Sequence, residues 1–240
     1  MSADVHALRT SESDSTRRAF LQELGLTLTA SGLAVAGAPA LLSAAPFPAV
    51  PAGARAEEFD MTWTKRVTGK HKAVFDSPDI AGGMGVLRAA VVKKQYMEAF
   101  KIPASAFTAV IVLRHDGIAL AMNQQFWDSY GIAKSNNVKH PWTGEPITKS
   151  PATLTPADGL PATLAGADLA SQLKSGAIAL ACNLAFGDMV DLVVKTDKIA
   201  EADARKKALS MLMPGVIMQP SGVFATTVAQ EQGCVYVRAT

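Results

Sequence analysis

Thr108-Ala-Val-Ile-Val-Leu113 (TAVIVL) is the stretch on which the architecture turns. After its first residue the run is wholly apolar and rich in β-branched side chains. That is the composition of a strand buried on both faces, as in a parallel sheet; a strand with one wet face alternates instead. The run stops at Arg114-His115-Asp116-Gly117, a polar turn. Upstream, Lys72–Asp76 (KAVFD) is a shorter strand ended by Ser77-Pro78. Gly82, Gly83 and Gly85 then form a flexible turn ahead of a helix over Val86–Phe100, in which Leu87, Val91, Tyr96, Met97 and Phe100 fall near helical spacing. Ile102-Pro103 closes that helix, and Glu57–Gly69 reads as a polar entry arm or short hairpin.

Downstream the alternation continues. A short helix is predicted over Leu120–Tyr130, and Lys134–Leu164, rich in Pro, Thr, Asn and Lys, reads as an inserted surface loop. A helix over Ala167–Leu173 leads to a third strand, Ala177–Cys182. Helices over Gly187–Lys195 and Glu201–Met213 precede a fourth strand, Val216–Met218. Val223–Gln232 is the last helix, capped by Gly233, and Cys234–Arg238 (CVYVR) the last strand. Continuous apolar strands alternating with helices specify an α/β fold: a flavodoxin-like open parallel sheet of about five strands with helices on both faces.

The N-terminus carries a different signal. Ser15-Thr-Arg17-Arg18-Ala-Phe20-Leu21 has the twin-arginine export pattern, and an uncharged stretch, Leu24–Ala45, follows it. Ala54-Arg55-Ala56 is a small-x-small cleavage site. Residues 1–56 therefore read as a twin-arginine signal peptide that is removed, and 57–240 as a single domain exported to the periplasm. The apolar stretch is long enough to span a bilayer, but its many Gly and Ala residues and the cleavage site argue for removal over retention as an anchor. No second apolar span follows. The mature part holds 19 Lys plus Arg against 17 Asp plus Glu, too balanced for a nucleic-acid partner.

In an open parallel sheet, ligands gather beyond the carboxyl ends of the strands. The residues there are Asp76, Arg114, His115, Cys182, Asn183 and Ser221. Cys182 is the candidate nucleophile, since a helix starting after a strand end favours a thiolate; the position fits a merely packed core thiol as well. His115 suits a general base, a metal ligand, a ligand-binding donor or a rim residue that is only hydrogen-bonded. Cys234 begins its strand while Cys182 ends one. Five strand residues put the two about 16 Å apart, so no disulfide between them is expected. No histidine pair stands at i, i+4 and no CxxC occurs, so no metal site is expected. Gly82–Gly85 lacks both phosphate-loop patterns. No cofactor is predicted, because no sequence element specifies a heme or a flavin.

The strand end Ala177–Asn183, the Met213–Gly222 segment with its "PSGV" turn, and the ending Ala229–Arg238 (AQEQGCVYVR) resemble DsrE/DsrF-like (YchN-like) proteins. The likeness runs from about His71 to Thr240, with 134–164 outside it, and is greatest to an exported, twin-arginine branch. It implies a compact α/β domain that self-associates as a trimer or hexamer. It also implies a sulfur carrier, in which Cys182 holds a persulfide for transfer between a donor and an acceptor. Asn183, His115, Asp76, Arg114 and Ser221 would then shape the pocket. The alternative is a non-catalytic module that binds a small molecule, a cofactor or a partner protein. A carrier or binding protein is expected ahead of a turnover enzyme, without the sequence excluding the latter.

Overall fold

Five parallel strands form one sheet in the order β4-β3-β2-β1-β5. A computed structural model describes residues 59–240, so the expected signal segment lies outside the described residues. The strands are β1 (His71–Ser77), β2 (Phe107–Leu113), β3 (Ile178–Cys182), β4 (Val216–Gln219) and β5 (Val235–Arg238). All five match strands expected from sequence, to within a residue or two at the ends. The central strand β2 is buried at every position, as TAVIVL requires.

Alternate residues of the strands feed two separate cores. Ala73, Phe75, Phe107, Ala109, Ile111, Leu113, Ala179 and Ala181 face one side. Val74, Val110, Val112, Ile178 and Leu180 face the other. The first side carries most of the helices, among them α1 (Met84–Phe100), α2 (Gln124–Ser129), α3 (Ile132–Ser135), α5 (Asn183–Asp197) and α6 (Glu201–Ser210). A short α4 (Leu169–Lys174) precedes β3 and buries Leu169 in the same core. The second side is covered by α7 (Gly222–Glu231), through Ala225 and Ala229, and by an entry turn that buries Trp63 and Val67. Helices thus lie on both faces, unequally.

Two expectations change on inspection. The helix expected over Leu120–Tyr130 divides into a 3-10 stretch, His115–Ala121, and α2. The division falls at Met122-Asn123. Met122 is extended and bridges Leu212, and the Asn123 side chain accepts the Phe126 N–H as the cap of a new helix; a capping Asn favours a fresh start over a helix interior. Residues 134–164 are also more than a surface loop. Val138, His140, Ala152, Leu154 and Leu160 are buried, and Leu154 and Leu160 pack with Leu87 of α1. Thr155 and Asp158 form a reciprocal cap there, and Lys149 and Thr155 together hold the Asp158 carboxyl down at about 2.

Candidate functional site

Adjacent strands β3 and β4 send their following helices to opposite faces. The chain leaving β3 enters α5 on one side, and the chain leaving β4 enters α7 on the other. That divergence opens a crevice beyond the carboxyl ends of the strands, where open α/β sheets bind ligands. A cavity of about 450 Å³ occupies it. Arg114 and His115 line it from the turn after β2, Cys182 and Asp188 from the β3–α5 segment, and Ser221 and Gly222 from the start of α7.

Cys182 is the N-cap of α5, and its Sγ accepts the Ala185 N–H at 3.4 Å. The residue is 6% exposed, so the thiol is recessed at the cavity wall. Ser221 caps α7 in the same way, its Oγ accepting the Phe224 N–H at 3.0 Å. Two helix N-termini with positive dipole ends therefore meet at one crevice.

Arg114 supplies the full charge. Its Nε and Nη2 donate to the two oxygens of Asp76 at 2.6 and 2.7 Å, a bidentate pair that fixes the guanidinium plane. Tyr236 on β5 donates to the same carboxylate at 2.8 Å. Burial pushes the Asp76 carboxyl up, but the Arg114 and Tyr236 hydrogen bonds outweigh it and hold the group below its ordinary value. The hydrogen bond to Asp76 in turn raises Arg114, against the opposing effect of desolvation. Gly222 makes the arrangement possible: a Cβ there would overlap the Arg114 stem, falling 2.7 Å from Cδ.

His115 is exposed and has a left-handed backbone, φ 45°. The exit of β2 is tied back onto the exit of β1, with Arg114 N–H donating to Ser77 O and Gly117 N–H to Pro78 O. His115 lies in the turn between those two anchors. Asp188 shares the crevice. Desolvation, then the charges of Asp191 and Asp116, raise its carboxyl, and His115 pulls it back.

Of the residues expected from sequence, Cys182, Arg114, His115 and Ser221 come together at the cavity. Asp76 stands behind Arg114, 2% exposed, as its anchor. Asn183 turns away, its Oδ1 accepting from Arg205 of α6 at 2.6 Å. Sequence reasoning missed Asp188, Tyr236 and Gly222. Asp188 was within reach, since Cys182, Ala185 and Asp188 step by three residues along one helix face. Tyr236 and Gly222 matter only through contacts between distant elements. Both cysteines are free. No protein-family model matches the chain, and searches of curated proteins and of solved structures find no match to it.

Proposed function

We propose that the chain is a periplasmic, DsrE-like sulfur carrier in which Cys182 accepts a sulfane sulfur and holds it as a persulfide. Twin-arginine export and self-association are parts of the same proposal. The observation that carries it is the position of Cys182: a recessed thiol with a backbone N–H on its sulfur, in a crevice shared with Arg114 and His115. In the transfer, the thiolate attacks the outer sulfur of a donor persulfide, R–S–SH. The donor S–S bond breaks, a Cys182 S–S bond forms, and RS⁻ leaves. No external oxidant or reductant is consumed. In this reading His115 or Asp188, which share the cavity, takes the thiol proton, and Arg114 with the two helix N-termini stabilises the departing anion.

The test is intact mass of the exported protein before and after a reductant. An added 32-Da increment (one sulfur) that reduction removes, and that Cys182→Ser lacks, is expected. Undiminished loading in Cys182→Ser ends the proposal. A second reading, small-anion binding without sulfur chemistry, rests on the convergence of Arg114 with the N-termini of α5 and α7. It predicts that anion binding survives Cys182→Ser and that native mass is unmodified.

A further inference from the structure

A second cavity, of about 480 Å³, lies away from the sheet's carboxyl ends, between α1, the 3-10 turn Ala162–Leu164 and the end of α4. Its volume is that of a small-molecule site. Val91, Met97, Leu164, Ala165 and Ala177 make its walls mostly apolar. Gln172 sets the floor rigidly: it is 5% exposed, and its amide donates to Val86 O at 2.8 Å and Ala167 O at 2.7 Å.

Two ammonium groups reach across this apolar trough. Lys93 Nζ donates to Ser175 O and Lys94 Nζ to Thr163 O, each at 3.2 Å. Lys94 also lies 3.9 Å from Glu98 on its own helix. Lys93 is different: among the described residues no carboxylate pairs with it. Its stem is half-buried, and desolvation pulls its amine below the ordinary value. Lys93 thus has a backbone carbonyl as its partner and no counter-ion among the described residues.

We infer that this groove binds an amphipathic carboxylate, with the apolar tail along the Val91–Met97–Leu164 walls and the carboxylate on Lys93. The charge complementarity is specific in sign. A neutral alcohol of equal length gives Lys93 no counter-charge, and an alkyl cation meets two ammonium groups against the one carboxylate of Glu98. Glu98, beside Lys94, directs the carboxylate to the Lys93 end. The inference is independent of the sulfur-carrier reading, because none of its residues lines the Cys182 cavity.

Calorimetric titration of the full chain with decanoate at neutral pH tests it, with decanol as the neutral probe. Saturable one-site decanoate binding is expected, with decanol at least ten-fold weaker. Lys93→Gln should weaken decanoate at least ten-fold, and Cys182→Ser should leave it unchanged. Ala165→Phe fills the trough from an exposed turn, away from the core, and should also abolish binding. Absence of saturable decanoate binding, equal affinity for decanol, or full affinity in either groove variant overturns the inference.

Discussion

Cys182 and Cys234 are nearly equal in burial, 6% and 5% exposed, yet they sit in opposite chemical settings. Cys182 ends β3 and belongs to the larger core. Its sulfur meets a backbone N–H and a cavity shared with a guanidinium, an imidazole and a carboxylate. Cys234 precedes β5 in the core on the other face. There desolvation pushes its thiol up to about 11, against the opposing charge of Lys72. The lesson is that burial does not grade a cysteine. What matters is which end of a parallel strand it occupies, because helix N-termini and loops gather at the carboxyl ends while the amino ends receive helix C-termini.

The largest expected effect breaks this pairing directly. Under native conditions near pH 8, alkylation followed by mass spectrometry should modify Cys182 at least a hundred-fold faster than Cys234, with Cys234 reacting only as the protein unfolds. Comparable rates would remove the distinction between the two ends of the sheet.

Next is the ion pair behind the cavity. Arg114→Ala leaves the Asp76 carboxylate buried without its main partner, a change that costs about 3–5 kcal/mol. Urea denaturation should show it, whereas Lys72→Ala at the Cys234 end should cost far less. Gly222→Ala comes third. The new Cβ overlaps the Arg114 stem, and such overpacking costs about 1–3 kcal/mol while displacing the guanidinium from the cavity. A neutral Gly222→Ala would mean that α7 does not press on the Arg114 stem.

A pH series sharpens the same point. The folded state lowers the Asp76 carboxyl, so its contribution is complete above the unfolded value of about 3.9. It is lost as pH falls through the lower folded value. Asp158, held at about 2, contributes with the same sign over that range down to its own value. Asp76→Asn should therefore flatten, without abolishing, the loss of stability below about pH 4. The smallest effect is Ser221→Ala, which removes the cap of α7 at about 1 kcal/mol and is read as a small drop in Tm.

The fold was largely legible because its strands are buried on both faces and so read as unbroken apolar runs. TAVIVL and IALAC needed no context to be recognised. The helix starts were less legible. Met122-Asn123 interrupts an apolar run that otherwise scans as one helix, and the interruption depends on a bridge to Leu212, 90 residues away. The 134–164 segment reads as polar by composition, and its buried Leu154 and Leu160 are visible only against Leu87.

By itself the sequence determined the parallel α/β class, the five strands, and the short roster of reactive groups at their carboxyl ends. Each follows from local properties: the apolar pattern of a strand, the polar turn that ends it, and the side chain at the junction. Only the tertiary structure decided which of those groups share a site. The β4-β3-β2-β1-β5 order and the departure of α5 and α7 to opposite faces bring Arg114, Cys182 and Ser221 to one crevice. The same packing turns Asn183 toward Arg205 and sets Asp76 behind Arg114. Strand order depends on how whole faces bury against each other, and no window of sequence contains that information.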